Sequence, residues 1–178
     1  TQSYSSIVIN VTSNDSNDHY TFLDLNKDVL LWMRFNATNS SGDPLDESSY
    51  ANNGSLISGT IVNSTGYFGN GSHFDGVNDY ISGSIAGQMS PNQGAFSLWA
   101  KFSTGALTDN AARALIGVGT ASGTANTITI TKNGTNNLVF RYNNLGTTYD
   151  VGIVSMTGMD SWHHYVMTWN ASTLTAYR

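Results

Sequence analysis

Short runs in which apolar and polar residues alternate recur along this chain, and the alternation restricts the possible folds more than any other feature. The clearest run is Ala95–Ser103, because a period of two places successive side chains on opposite faces of a β-strand. Its predicted inward residues are Phe96, Leu98, Ala100 and Phe102, and its predicted outward residues are Ser97, Trp99, Lys101 and Ser103. Stretches rich in Ala, Leu, Glu and Lys, which build helices, are missing. The pattern therefore predicts an all-β domain.

Turn-forming residues separate the runs at intervals of roughly 8–12 residues, a spacing typical of a β-sandwich or barrel. Asn133-Gly134 predicts a hairpin turn, and Val29–Ala37, with large apolar side chains on both faces, predicts a strand covered on both sides. The predicted strands are Tyr4–Thr12, Tyr20–Leu25, Val29–Ala37, Ser55–Val62, Gly66–Phe68, Ser72–Phe74, Tyr80–Ser82, Ala95–Ser103, Ala114–Gly119, Thr127–Lys132, Leu138–Tyr142, Thr147–Val154, Trp162–Asn170 and Thr173–Arg178.

Charge and cysteine content exclude several function classes. Seven Lys and Arg stand against twelve Asp and Glu, which is too few cations for the basic face of a nucleic-acid binder. The absence of cysteine excludes a disulfide scaffold, a thiol nucleophile and a cysteine-ligated zinc or iron–sulfur site. Glu47 is the single glutamate, so no glycosidase mechanism with two glutamates can be written. No apolar run reaches the roughly 20 residues of a membrane span.

Four segments in order share the character of one known family. They are Leu30–Leu56 (LLWMRFNATNSSGDPLDESSYANNGSL), Gly66–Ile81 (GYFGNGSHFDGVNDYI), Phe96–Ser103 (FSLWAKFS) and Trp162–Arg178 (WHHYVMTWNASTLTAYR). Together they resemble the laminin-G-like branch of the concanavalin A-like lectin and glucanase superfamily. The resemblance implies an antiparallel jelly-roll β-sandwich over residues 29–178, with residues 1–28 as a lead-in strand segment that packs on the sandwich or on a neighbour.

The resemblance also implies a secreted or cell-surface location and binding to carbohydrate or to a cell-surface protein. Two departures from the family pattern stand out: Asn78 occupies a position where the family usually shows an acid, and the sequence ends at Arg178, where the family hairpin continues into a further strand. The sandwich is therefore expected to lack its last strand or strands. Glucanases of the superfamily carry a Glu-x-Asp-x-x-Glu strand, which a chain with one glutamate lacks, so a non-catalytic role is predicted.

Nine Asn-x-Ser/Thr sequons, about twice as many as the composition alone gives, predict glycosylation of surface loops in an extracellular protein. They begin at Asn10, Asn14, Asn36, Asn39, Asn53, Asn63, Asn70, Asn133 and Asn170.

Two polar loops offer the oxygen ligands that calcium prefers. The first contains Asp43, Asp46, Glu47, Asn52 and Asn53, and the second contains Asp75, Asn78 and Asp79. Because laminin-G-like domains often bind calcium at the rim of the sandwich, the resemblance implies a Ca²⁺ site whose ligands are Asp46, Asn53, Asp75, Asn78 and Asp79. The alternative is that these Asp and Asn residues only form turns.

Outward aromatic side chains provide the other candidate site, because flat rings stack on sugar faces. The predicted sugar platform consists of Trp99, Lys101, Tyr142 and Tyr149. The alternative is that a loop covers Trp99, and the other three tryptophans, Trp32, Trp162 and Trp169, are predicted to lie in the core.

The adjacent histidines His163 and His164 point to opposite faces of a predicted strand, so they cannot chelate one metal ion together. A structural role is predicted for both, with His164 buried beside Trp162 and Val166.

These observations predict a non-catalytic recognition module that binds carbohydrate or a protein partner with the help of calcium. The alternative is a structural subunit of a surface filament or layer, in which Tyr4–Thr12 of one copy joins the sheet of the next by strand addition. A hydrolase that uses Asp75 and Asp79 is disfavoured, because two residues on one turn are poorly placed to act on opposite faces of a sugar.

Overall fold

The computed structural model describes residues 24, 27–90, 92–119, 127–144, 146–153 and 155–178. The predicted strand Tyr4–Thr12 and the sequons at Asn10 and Asn14 lie outside the described residues, as does the side chain of Asn63. The same holds for the predicted strand Tyr20–Leu25 and for the lead-in segment, except Asp24 in both and residues 27 and 28 in the latter. The described strands are β1 (Ser55–Ile57), β2 (Ile61–Thr65), β3 (Asn70–His73), β4 (Tyr80–Ser82), β5 (Gly94–Ala100), β6 (Arg113–Val118), β7 (Thr127–Lys132), β8 (Leu138–Asn144), β9 (Thr147–Ile153), β10 (His163–Trp169) and β11 (Leu174–Tyr177).

Every strand pairing among the described residues is antiparallel, which confirms the predicted all-β class. Strands β6, β7, β8 and β9 form a four-stranded sheet in chain order, and β11, β10 and β5 form a three-stranded sheet. Two ribbons, β1 with β4 and β2 with β3, complete the pairings. The described chain contains one 3₁₀ turn, Thr104–Leu107, and no helix there is long and apolar enough to cross a membrane.

One hydrophobic core joins the two larger sheets, as in a β-sandwich. Alternation along β7 and β8 directs side chains from the four-stranded sheet into this core, and alternation along β10 does the same from the three-stranded sheet. The removal of both apolar faces from water is what stabilises such a pair of layers. The buried members of the core are Ile128, Ile130, Leu138, Phe140, Met156, Met159, Tyr165, Met167 and Trp169.

Strand β5 confirms the prediction made from its alternation. Its inward residues, Phe96, Leu98 and Ala100, pack against the core, whereas Trp99 on the other face is 37% exposed. Of the three tryptophans predicted to lie in the core, Trp169 does so, whereas the prediction is wrong for Trp32 and Trp162, which are only half-buried and do not belong to the described core.

The strand predicted at Val29–Ala37 is wrong, because none of these residues belongs to a strand. Phe35 has a φ of 63°, which breaks the pleat. The backbone here bonds to a loop instead of a sheet: the Trp32 N–H donates to Asp46 Oδ1 at 2.7 Å, and the Trp32 carbonyl accepts from the Glu47 N–H at 2.9 Å.

The segment Gly66–Phe68, also predicted as a strand, forms a turn. The Gly66 N–H donates to the Gly69 carbonyl at 2.9 Å, and Gly69 has a φ of 69°. The positive φ favours glycine at this position, and a Cβ there would also lie 2.6 Å from Asn36 Oδ1, so the Asn36 side chain would have to move.

The strand predicted at Ser55–Val62 is divided into β1 and β2, because Ser58 and Gly59 both adopt positive φ and reverse the chain. The remaining predicted strands that fall on described residues match β3, β4 and β5 to β11 to within a few residues. The hairpin predicted at Asn133-Gly134 is confirmed, since β7 and β8 pair on either side of it.

A buried lysine interrupts the apolar face of β7. The Lys132 side chain is fully buried, and its Nζ donates to Asp109 Oδ1 at 3.0 Å and to the Ala111 carbonyl at 2.8 Å. The other carboxylate oxygen of Asp109 accepts from Arg113 at 2.6 Å. One carboxylate therefore neutralises a buried ammonium and a guanidinium at this edge of the core.

The Tyr165 hydroxyl is the basis of a first prediction. It is buried, and no described residue forms a hydrogen bond with it; burial raises the pKa of Tyr165, although the positive charge of Arg178 partly offsets this. Because Tyr165→Phe removes an unsatisfied hydroxyl and keeps the ring, the free energy of unfolding should stay within about 1 kcal/mol of wild type or rise. Urea denaturation measures this, and a clear loss of stability would mean that the hydroxyl has a stabilising partner.

Candidate functional site

A cluster of exposed rings covers part of the outer face of the three-stranded sheet. Trp99 of β5 lies opposite His164 of β10 in the strand register, and both side chains point away from the core. The turn before β3 adds two exposed rings next to Trp99, and the residue before β10 adds another tryptophan. We call this group the aromatic surface; its members are Tyr67, Phe68, Trp99, Trp162 and His164, with Lys101 beside them.

The rings of the aromatic surface order one another. Tyr67 stacks on Trp99 with centroids 3.8 Å apart and planes 4° apart, and His164 stacks on Trp99 at 5.0 Å and 14°. Phe68 meets Trp99 edge-on at 5.7 Å. The Lys101 ammonium lies 5.1 Å from the centre of the Trp162 ring, which is within cation–π range. Residues of the turn before β3 thus partly cover Trp99, which agrees with the alternative that a loop covers this ring. The covering rings are themselves accessible, since Tyr67 is 47% and Phe68 52% exposed.

The charge on this face differs from that of the whole chain. Alternation and strand register place a set of residues on the outer face, and none of them is acidic, although the chain carries a net charge of −5. The surface therefore suits neutral or anionic ligands rather than cations. The outer-face residues of the three described strands are Ala95, Ser97, Trp99, His164, Val166, Thr168, Thr175 and Tyr177.

The structure divides the predicted sugar platform between two sheets. Trp99 and Lys101 belong to the aromatic surface, whereas Tyr142 and Tyr149 face each other across β8 and β9, with ring centroids 6.2 Å apart. Tyr142 packs against the core and Tyr149 is exposed at the end of the same sheet face. The two pairs therefore do not form one site.

Sequence reasoning missed Tyr67 and Phe68. The sequence pattern predicts a short strand here, in which one of two adjacent rings faces inward. The signal that identifies them is the pair of flanking glycines, Gly66 and Gly69, which favours a tight turn; in the structure both aromatic side chains of this turn are exposed.

The burial predicted for His164 is wrong. The outward face of β10 carries His164, while the inward face carries Tyr165 and Met167. His164 Nε2 lies 2.8 Å from Ser97 Oγ, so the imidazole has a partner but is exposed. His163 Nε2 lies 2.8 Å from the Gly158 carbonyl, and the two histidines face apart, as predicted.

The first predicted calcium loop is organised by Asp46 itself. Its carboxylate is buried and accepts four hydrogen bonds: Oδ1 from the N–H groups of Trp32 and Ser48, and Oδ2 from the Ser48 hydroxyl and the Asn52 N–H, at 2.7–2.9 Å. Asn53 Oδ1 accepts from the Asp46 N–H at 3.0 Å. A cation bound to Asp46 would displace N–H and O–H donors that already stabilise the loop. Asp46 therefore fits an internal anchor better than a calcium ligand.

These bonds predict that Asp46→Asn destabilises the fold by about 1–3 kcal/mol, because the new NH₂ group meets buried donors and leaves one unsatisfied. Burial alone would raise the pKa of Asp46, but the hydrogen bonds from Trp32, Ser48 and Asn52 together lower it. A lowered pKa in the folded state stabilises the protein above the ordinary carboxyl pKa of about 3.9, and this stability is lost as the pH falls.

Urea denaturation at pH 7 and at pH 3 tests this linkage. The difference in unfolding free energy between wild type and Asp46→Asn should shrink at the lower pH, while the exposed Asp160→Asn control should change stability little at either pH. An equal difference at both values would contradict the role given to the carboxylate.

The second predicted calcium loop is more open. Asp75 Oδ1 accepts from the Val77 N–H at 2.7 Å, and Asp79 Oδ2 accepts from the Asp75 N–H at 3.0 Å. Asp79 Oδ1 is buried with no hydrogen-bond partner among the described residues. The hydrogen bond from Val77 lowers the pKa of Asp75, so this carboxylate is charged at neutral pH. Asp79 Oδ1 is therefore the oxygen of this loop that a cation could use, although no group of three or more His, Asp or Glu side chains in the described chain is arranged to hold a metal.

The lining of a small pocket includes no member of the aromatic surface. Its volume is about 110 Å³, and it is lined by Asp24, Val29, Trp32, Glu47, Ser48 and Ser49. Ligand pockets usually measure about 300–1,000 Å³, so this pocket is too small to enclose a sugar.

No protein-family model, curated protein or solved structure matches this chain. The laminin-G-like resemblance therefore remains a prediction from four sequence segments.

Proposed function

We propose that this chain is a non-catalytic recognition module that binds carbohydrate through the aromatic surface, on an extracellular or cell-surface protein. The observation that carries the proposal is the group of exposed rings on the outer face of β5 and β10. Contiguous exposed apolar groups on a soluble protein mark an interaction site, and aromatic rings are the groups that pack on sugar faces.

The chemistry of the surface supports binding rather than catalysis. Hydroxyl, imidazole and ammonium groups surround the rings, at Tyr67, His164 and Lys101, and can donate hydrogen bonds to sugar hydroxyls. Glycoside hydrolysis needs two carboxylates across the scissile bond, and none of the outer-face residues of β5, β10 and β11 is acidic.

The architecture and location that we propose follow from the same sequence segments. Two antiparallel sheets that share one core support a sandwich, and we propose that its connections are those of a laminin-G-like jelly roll. Five of the sequon asparagines with described side chains, Asn36, Asn39, Asn53, Asn70 and Asn170, are exposed, and Asn133 is half-buried. This placement supports a glycosylated surface facing the cell exterior.

A glycan array probed with unglycosylated protein from a bacterial host tests the proposal. Wild type should bind a subset of glycans, and Trp99→Ala should weaken that binding about tenfold, which corresponds to roughly 1.4 kcal/mol. Because Trp99 also supports neighbouring rings, Lys101→Ala provides a second variant with less effect on packing. Tyr149→Ala, which removes an exposed ring on the other sheet, is the matched control and should bind as wild type does. Absence of binding by folded wild type would overturn the proposal.

We keep calcium in the proposal at the loop of Asp75 and Asp79, because the buried Asp79 Oδ1 receives no hydrogen bond from any described residue. Isothermal titration with calcium should give binding heat that Asp79→Asn abolishes. If added calcium gives neither binding heat nor a shift in the unfolding midpoint, this part of the proposal is wrong.

The alternative function is a structural subunit assembled by strand addition, and the position of β5 favours it. Among the described strands, β5 lies at the edge of its sheet, and an edge strand offers unpaired N–H and C=O groups to another chain. The proposed donor, Tyr4–Thr12, lies outside the described residues. Concentration-dependent filaments in electron micrographs, lost on deletion of residues 1–12, would support the alternative; a strict monomer at all concentrations would exclude it.

A further inference from the structure

The sequon at Asn70 lies at the edge of the aromatic surface. Asn70 is the first residue of β3 and follows the Gly66–Gly69 turn, so it comes two residues after Phe68 and three after Tyr67. Asn70 and both aromatic residues are exposed. Two residues span at most about 7 Å, which is comparable to the size of one sugar ring and its amide link. The first sugar on Asn70 would therefore lie within reach of the Phe68 ring.

The side-chain amide of Asn70 also differs from those of the other sequons. Among the sequon asparagines whose side chains are described, Asn70 alone has an amide group that forms no hydrogen bond with another described residue. The Oδ1 atoms of the others each accept at least one hydrogen bond, and the residues concerned are Asn36, Asn39, Asn53, Asn133 and Asn170. Among these described side chains, the Asn70 amide can therefore follow an attached sugar without breaking a hydrogen bond.

Covalent attachment changes the energetics of a sugar–ring contact. A free monosaccharide binds a single exposed ring weakly, but a tethered one has an effective concentration in the millimolar range or above. Phe68 is already held edge-on against Tyr67 and Trp99, with centroids at 4.5 Å and 5.7 Å, so little conformational entropy is lost when a sugar packs on it. Tethering and the ordered ring together allow a weak contact between the attached sugar and Phe68 to form for much of the time.

We propose that Asn70 carries an N-linked glycan whose first sugar packs on Phe68 and covers the Tyr67 and Phe68 end of the aromatic surface. The donor is a lipid-linked oligosaccharide. Asn70 Nδ2 forms a bond to C1 of the sugar, the bond from C1 to the lipid phosphate oxygen breaks, and Nδ2 loses one proton. This glycan belongs to the protein itself, so it can be tested whether or not an external carbohydrate binds. Because the glycan would cover part of the aromatic surface, external carbohydrate is tested with unglycosylated protein.

The test uses the full chain secreted from a eukaryotic host that glycosylates sequons. Glycopeptide mass spectrometry measures occupancy at Asn70, and thermal denaturation is then compared for wild type, Asn70→Gln, Phe68→Ala and the double variant. The glycan should raise the unfolding midpoint by about 2–4 °C when Phe68 is present and by much less in the Phe68→Ala background. Proton resonances of the first sugar should also move upfield in wild type, because they lie over a ring, and return in Phe68→Ala.

Asn39→Gln is the matched control, since Asn39 is an exposed sequon with no aromatic residue in the three positions before it. Asn39→Gln should change the unfolding midpoint by the same amount in the wild-type and Phe68→Ala backgrounds. The proposal is overturned if Asn70 is unoccupied while other sequons are occupied, or if the glycan at Asn70 changes the midpoint equally in both backgrounds and its sugar resonances are unshifted. Because the unglycosylated Phe68→Ala variant is measured in the same series, any direct effect of that substitution on folding is subtracted.

Discussion

Replacing Phe140 with alanine is expected to lower the free energy of unfolding by about 3–5 kcal/mol. Phe140 is completely buried in the centre of β8, paired with Ile130 of β7 on one side and Val151 of β9 on the other. Its ring is part of the core that joins the two larger sheets. Truncation removes buried apolar area and leaves a cavity that a closely packed interior fills only in part.

Urea denaturation followed by tryptophan fluorescence measures the effect. Phe140→Leu should lose less stability because it leaves a smaller cavity, and Tyr149→Ala, at an exposed position of the same sheet face, should lose about 1 kcal/mol or less. If Phe140→Ala lost no more stability than Tyr149→Ala, the conclusion that the two sheets share one core around Phe140 would be wrong.

Asp109→Asn is expected to destabilise the fold more than any other substitution of a described carboxylate. Asp109 is the carboxylate partner of the fully buried Lys132 ammonium and also binds Arg113. The amide that replaces the carboxylate still offers an oxygen, but it carries no charge, so the buried Lys132 ammonium keeps only neutral acceptors such as the Ala111 carbonyl. A buried charge that loses its counter-ion is strongly destabilising, whereas replacement of the whole pair by apolar groups is often neutral.

A second substitution separates the loss of charge from a general disruption of the loop. Lys132→Met keeps the length of the buried side chain and removes its charge, so the double variant with Asp109→Asn should be clearly more stable than Asp109→Asn alone. Denaturation midpoints of the four proteins give this coupling directly. Additive effects of the two substitutions would show that Lys132 does not depend on Asp109.

The same ion pairs predict a dependence on pH. The hydrogen bond from Arg113, together with those from the Ala111 N–H and Lys132, holds the pKa of Asp109 far below the ordinary carboxyl value. A lowered pKa in the folded state contributes stability that is complete above about pH 5 and is lost as the pH falls through and below about 3.9. Asp109→Asn lacks this contribution, so its stability should fall less steeply than that of wild type between pH 5 and pH 3.

The regular strands could be predicted from the sequence because their information is local. In β5 and β7 the alternation of apolar residues with Ser and Thr fixes both the strand and its buried face. The same reasoning failed at Val29–Ala37, where a positive φ at Phe35 and hydrogen bonds from the loop of Asp46 replace the sheet. Asp46 lies 14 residues after Trp32, and the local alternation of apolar and polar residues cannot predict a hydrogen bond over that separation.

The candidate site could be predicted only in part for a similar reason. An outward Trp99 follows from the period of two, but its stacking partners Tyr67 and His164 come from distant parts of the chain. Tyr142 and Tyr149 were grouped with Trp99 because all are aromatic, yet they belong to another sheet. The buried Lys132 was not foreseen either, since its partner Asp109 lies 23 residues earlier and only the packed structure brings them together.

The carbohydrate-binding role of the aromatic surface is tested most directly by the indole N–H resonances of the four tryptophans. Unglycosylated protein labelled with ¹⁵N is titrated with the oligosaccharide that gives the strongest signal on the glycan array. The resonances of Trp99 and Trp162 should shift with saturation, while that of Trp169, which is 5% exposed in the core, should not move. Array binding that leaves Trp99 and Trp162 unshifted, or no array binding at all, would contradict the account.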